Sequence, residues 1–133
     1  MVPYFDNGDT TLVRQWRHAW ELSSWEVPAG TSAPGEDPLE CARRELAEET
    51  GLVAQRYTSL GVVHGAAILT GVAHLYLAEH LTESERKPET YEQDMEVLRL
   101  PFTAALNAAL ADDIVHSGSI TALCRAARAL KLL

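Results

Sequence analysis

Glu45, Glu48 and Glu49 stand three and four positions apart, a spacing that puts all three on one face of an α-helix. Like charges so placed repel by roughly 0.2–0.5 kcal/mol per pair on an exposed helix. They also fall in the last turns of a segment that Gly51 ends, where the helix dipole disfavours negative charge, and no Lys or Arg follows any of them four residues on. An acidic run is most often a solvated face. Here a local cost without a local gain points instead to a missing cation. Clustered carboxylate oxygens are hard ligands that suit Mg²⁺ or Mn²⁺. Ions held there could offset the charge of a phosphorylated ligand and activate a water, which is what hydrolysis of a phosphoric anhydride requires.

The elements that must position these glutamates are legible from their punctuation. Asp37 can cap the helix, Pro38 suits its first position and Gly51 suits the left-handed residue past its end. Leu39, Ala42 and Leu46 give it an apolar stripe. Upstream, Asn7-Gly8 reads as a hairpin turn between strands at Val2–Phe5 and Thr11–Trp16. The stretch Arg17–Ser24 reads as an irregular loop, Trp25–Val27 as a short extended piece, and Thr31–Glu36 as a loop. Downstream, strands are expected at Arg56–His64 and Val72–Glu79 with a turn at Gly65–Gly71, followed by a polar loop over Thr82–Gln93. A strand at Met95–Leu100 and helices at Pro101–Ala111 and Ser119–Leu132 complete the chain, with Ser119 as the last helix's cap. Strands and helices mixed in this order indicate one layered α/β domain.

At 133 residues the chain suffices for one domain with its own core. A net charge of −8 excludes a protein that grips a nucleic-acid polymer through a basic surface. It leaves open a phosphorylated small molecule reached through metal cations. No apolar run is long enough to span a membrane and no secretory leader is visible. Two cysteines, Cys41 and Cys124, make a poor disulfide framework, so a reduced, cytoplasmic protein is expected.

The glutamates belong to a longer pattern. Gly30, five residues, Glu36, seven residues, then Arg44-Glu45-Leu46-Ala47-Glu48-Glu49-Thr50-Gly51-Leu52 matches the whole Nudix box, residues 30–52, without gap or substitution. A chance match lies below about one in 10⁸ per starting position. The chain therefore resembles the Nudix hydrolases over residues 1–133. That resemblance implies an α/β/α sandwich with a mixed β-sheet and a metal-dependent pyrophosphohydrolase. It also implies that Glu45, Glu48 and Glu49, with the backbone carbonyl of Ala29, hold two or more Mg²⁺ or Mn²⁺ ions, Glu48 serving catalysis directly. Glu36 and Arg44 would form a structural ion pair.

Arg14-Gln15-Trp16-Arg17 and Trp25-Glu26-Val27-Pro28-Ala29-Gly30 resemble the ADP-ribose and nucleoside-diphosphate-sugar pyrophosphatases. In that subgroup the residue matching Arg17 contacts the diphosphate and the one matching Glu26 lies near the site. Arg14 could add positive charge to the substrate phosphates. Trp20 is the candidate for stacking on the base, although a tryptophan more often fills core. Glu92 is the expected general base, with Asp94 second, since Gln93 falls where the subgroup carries glutamate. His64-Gly65-Ala66-Ala67-Ile68 also departs from the subgroup's Ser-Pro-Gly turn. Many members carry a further N-terminal sheet that shapes the dimer and the purine pocket; this sequence begins at the first core strand. A homodimer is implied by the resemblance alone. The histidines (18, 64, 74, 80 and 116) show no metal-ligand spacing, and His64, near a turn, is a candidate for substrate contact. A nucleotide sugar is the expected substrate. Competing readings are a nucleoside triphosphate pyrophosphohydrolase and a non-catalytic nucleotide sensor, the latter at odds with an intact box.

Overall fold

A computed structural model describes residues 1–87 and 94–133. β1 (Val2–Tyr4) and β2 (Asp9–Arg17) are joined by the expected turn, with Gly8 at φ +90° and its N–H donating to the Phe5 carbonyl at 2.9 Å. A 3-10 turn at His18–Trp20 and a left-handed Glu21 lead into β3 (Leu22–Glu26). The segment expected to be irregular thus contracts to four residues. Its flanks are instead held by pairing from Val13↔Glu26 to Arg17↔Leu22. α1 (Pro38–Thr50) follows the loop, then β4 (Leu52–His64) and β5 (Val72–Glu83). β6 (Glu96–Pro101), α2 (Phe102–Leu110) and α3 (Ser117–Ala129) end the chain.

The sheet runs β3-β2-β1-β5-β4, with β6 alongside residues 9–14 of β2. β1 lies parallel to β5 and the other pairs are antiparallel, so the sheet is mixed. β5 shows how both faces are covered. Leu75 and Leu77 pack with Phe102, Ala105, Ala122, Leu123 and Ala126 of the two C-terminal helices. Ala78, on the alternate face, packs with Ala42 and Leu46 of α1 together with Phe5 and Leu52. Helices therefore cover both faces, and the α/β/α sandwich stands.

β4 and β5 are longer than their sequence pattern indicates. Pairing extends from Leu52↔Glu83 to His64↔Val72, interrupted by a bulge between Ser59 and Gly61. Polar residues such as Arg56 and Thr82 hide this ribbon, because much of it is solvent-exposed and lacks a clean apolar alternation. The last helix begins two residues before Ser119, and its cap is His116, whose side chain accepts the Ser119 N–H. Among the described residues no helix is long and apolar enough to cross a membrane.

The punctuation of α1 is as expected. The Asp37 carboxylate accepts the Leu39 N–H at 3.0 Å, and Gly51 sits at φ +74° with its N–H on the Ala47 carbonyl. The Gly51 carbonyl accepts from the Ser84 backbone at 2.6 Å and from Ser84 Oγ at 2.9 Å. A Cβ at Gly51 would stand 2.4 Å from the Ser84 carbonyl oxygen, in addition to the left-handed strain. Gly51→Ala is expected to destabilise the fold by about 1–3 kcal/mol. Thermal unfolding would read this as a midpoint several degrees lower; an unchanged midpoint would refute it.

Candidate active site

The loop from Val27 to Glu36 and the helix α1 meet along the acidic face. Arg44 joins them: its Nε and Nη2 donate to the two oxygens of Glu36 at 2.9 and 3.0 Å. The same guanidinium reaches Glu45 at 3.0 Å and Glu48 at 3.1 Å through Nη1, and the Thr31 carbonyl at 3.3 Å. The hydrogen bonds from Arg44 hold the Glu36 carboxyl down to about 2. The Glu36–Arg44 pair is the one the sequence pattern implies, and a planar fork meeting a carboxylate gives it directional rigidity.

Glu45 and Glu49 are buried, and Glu49 Oε2 accepts the Ala29 N–H at 3.2 Å. Both line a cleft of about 380 Å³ with Gln15, Arg17, Ala29, Gly30, Thr31 and His116. Gly30 leaves no room for a side chain, since a Cβ there would lie 1.9 Å from the Glu45 carboxyl carbon. Glu36, Glu45, Glu48 and Glu49 meet along this face, with Arg44 bonded to the first three and the Arg17 guanidinium and Met1 ammonium adding positive charge near Glu49. Buried carboxylates are costly without cationic partners. Hard oxygen donors gathered beside an open cleft fit a divalent ion in chemistry. Among the described residues no three metal-ligating side chains already converge on one point; in this arrangement Arg44 Nη1 draws Glu45 and Glu48 to itself.

Arg17 reaches the cleft from the end of β2. Its Nε and Nη2 donate to Glu26 at 2.8 and 2.6 Å, a two-pronged pair that raises the guanidinium's affinity for its proton. Glu26 is 1% exposed and its carboxylate is occupied in holding Arg17, so it lies near the site without facing it. Arg14, three residues earlier and so on the opposite face of β2, pairs with Glu96 at 3.1 Å and lies near the Trp25 ring, apart from the Arg17 cleft. Trp20 is exposed and lines a neighbouring cleft with Trp16 and Arg17. Asp94 is exposed in the turn before β6, and Glu92 lies outside the described residues.

Sequence reasoning did not find His116. Its Nδ1 accepts the Ser119 N–H at 3.2 Å and lies 2.8 Å from Ser119 Oγ, which itself accepts the Val27 N–H at 3.0 Å. Burial lowers the imidazole's affinity for a second proton. The sequence signal was present in His116-Ser117-Gly118-Ser119, a run of helix-start residues in which the histidine, rather than the serine, takes the cap. Cys41 is buried under the Gly30 loop, and both cysteines are free thiols.

Comparison with known proteins places this geometry in context. The NUDIX domain model matches residues 1–119. The chain is 35% identical over 103 residues to an ADP-ribose pyrophosphatase of Bacillus subtilis (strain 168), covering 76% of this chain and 56% of that protein. It is 36% identical over 124 residues to an ADP-ribose pyrophosphatase of Mycobacterium tuberculosis (strain ATCC 25618 / H37Rv), covering 90% of this chain and 59% of that one. It therefore spans less than two thirds of the length of these relatives. A crystal structure of an ADP compounds hydrolase superposes with a TM-score of 0.86 at 24% identity, over 98% of this chain and 70% of that one, and shows the same fold.

The Glu36–Arg44 pair has a pH signature. A carboxyl held near 2 when folded, against an ordinary 4.5, adds stability that is complete above about pH 4.5 and disappears as pH falls toward 2. Glu36→Gln is expected to unfold at a lower temperature than wild type at pH 6, with the gap narrowing between pH 4.5 and 2. A gap that is constant over that window would show that the pair does not act through charge.

Proposed function

This chain belongs to the NUDIX domain family, and from that membership we propose that it is a metal-dependent pyrophosphohydrolase of nucleoside diphosphate derivatives. ADP-ribose or another nucleotide sugar is the substrate, and a nucleoside monophosphate and a sugar phosphate are the products. The single observation that carries this reading is the intact box folded so that buried Glu45 and Glu49 share a cleft with Arg17. The two relatives named for ADP-ribose support the substrate class. The protein acts in the cytoplasm as a homodimer in this reading.

Each residue has a distinct task. Glu45, Glu48 and Glu49, with the Ala29 carbonyl, would hold two or more Mg²⁺ or Mn²⁺ ions. When bound, the ions supply charge neutralisation on the diphosphate and an acidified water. Arg17, locked by Glu26, contributes a fixed positive charge to the diphosphate, and a preoriented guanidinium does so without reorganising. Arg14 would do so only after leaving Glu96. Trp20 offers its exposed ring to the base. Glu92 takes the proton of the attacking water, with Asp94 as the alternative, while the P–O bond of the anhydride breaks and the leaving phosphate departs in line.

Product formation from a panel of nucleotide sugars and nucleoside triphosphates, with Mg²⁺, Mn²⁺ or chelator, tests the reading. Nucleotide sugars are expected to be cleaved with metal and left intact without it; cleavage of triphosphates alone would transfer the enzyme to the other reaction. Glu48→Gln and Glu49→Gln are each expected to lower turnover about a hundredfold or more with the fold retained. Glu92→Gln should slow turnover comparably, and an unchanged rate would move the base to Asp94. Gly30→Ala should displace the Glu45 carboxylate and reduce turnover at least tenfold with little change in melting temperature, because a flexible side-chain end yields more easily than backbone. Wild-type rates in the glutamate variants would refute the assignment.

A further inference from the structure

His116 lines the carboxylate cleft and also its neighbour, an open cleft of about 420 Å³ walled by Trp16, Arg17 and Trp20. Trp16 and Trp20 are 59% and 46% exposed, and the Trp20 and His116 rings lie 6.1 Å apart between centroids. Exposed aromatic faces beside an anion site are what a nucleobase stacks on. Arg17 and His116 are the two side chains common to both linings. In any nucleotide the ribose joins base to phosphate, so a ligand spanning the two clefts passes its ribose along these two residues.

Their chemistry divides the work. Arg17 carries a permanent charge and suits the diphosphate. His116 is a neutral donor. Ser119 N–H points at Nδ1, so Nδ1 is an acceptor, and Ser119 Oγ, already accepting from Val27, has its own proton to give to the same nitrogen. The tautomer that meets both Ser119 contacts carries the ring proton on Nε2, which makes no hydrogen bond among the described residues. Oε1 of Glu26 lies 3.4 Å from Nδ1, on the side of the ring already fixed by Ser119. Gly118 also gives the ring its place: a Cβ there would lie 3.2 Å from His116 Cε1. A half-buried imidazole, locked on one nitrogen and with no partner on the other among the described residues, is arranged to donate to an uncharged acceptor.

We infer that His116 is a positioning residue for the nucleoside half of the substrate, its Nε2–H donating to a hydroxyl of the ribose that links a base on Trp20 to the diphosphate. This rests on the nucleotide-sugar reading and adds recognition of one hydroxyl of the nucleoside ribose. The test uses AMP, 2′-deoxy-AMP and 3′-deoxy-AMP as binding probes, followed by tryptophan fluorescence, with ADP-ribose hydrolysis measured separately. The informative variant is His116→Asn, because asparagine retains the helix cap but is too short to present a donor at the Nε2 position.

Wild type is expected to bind AMP about tenfold more tightly than one of the two deoxy analogues. In His116→Asn that ratio should fall to about one, through weaker AMP binding with deoxy affinity unchanged. A purely structural role would weaken all three probes alike, and that result would overturn the inference, as would a wild type that fails to bind AMP or does not discriminate. Discrimination lost in His116→Asn while ADP-ribose is not hydrolysed would uphold His116 and reject the substrate. Hydrolysis of ADP-ribose with a ratio retained in the variant would do the reverse.

Discussion

The concentration of carboxylates on one short stretch of surface is the constraint around which the rest of the molecule is arranged. Glu36 comes from a loop and Glu45, Glu48 and Glu49 from the helix that follows it. Arg44 bridges Glu36, Glu45 and Glu48 with one planar group, and its hold on Glu36 fixes the loop in place. Gly30 then lets the backbone pass against the Glu45 carboxylate, and the Ala29 N–H steadies Glu49. Asp37 and Gly51 set the two ends of α1, so the register of the glutamates along the helix is defined at both termini. Arg17 and the Met1 ammonium add positive charge near Glu49, so the face is held by cationic groups from three separate parts of the chain.

A second network ties distant parts of the sequence to that face. Glu26, at the end of β3, holds Arg17 at the end of β2, and His116 stands beside it. Ser119 fixes His116 and, through the Val27 N–H, the strand that leads into the Gly30 loop. The start of α3 is thus joined to the lead-in of the box by side-chain hydrogen bonds spanning 92 residues of sequence. The clefts on either side of His116 therefore share Arg17 and His116 as walls.

The sequence announces α1 because every signal in it is local: Asp37, Pro38, the apolar stripe and Gly51 lie within one element. The Glu36–Arg44 pair was legible only through the family pattern, since Glu36 lies in the loop before α1, eight positions from Arg44, where no helical spacing relates them. The length of β4 and β5 was not legible, because much of this hairpin is solvent-exposed and carries no clean apolar alternation. His116 was missed for a different reason. Its meaning comes from Ser119, Glu26 and Trp20, which converge only after β3 and α3 have packed. Arg17 was found from the subgroup pattern, but its lock on Glu26 is a consequence of the Val13↔Glu26 to Arg17↔Leu22 register. Arg14, on the same strand, is turned instead to Glu96 by the pairing of β2 with β6.

The most direct measurement is an anomalous difference map from crystals grown with Mn²⁺ and a methylene-bridged, non-cleavable analogue of ADP-ribose. Peaks within ligand distance of the Glu45, Glu48 and Glu49 carboxylates, with the diphosphate between them and Arg17, are the expected result. A nucleotide bound in the cleft with those carboxylates still on Arg44 and no metal against them would contradict it.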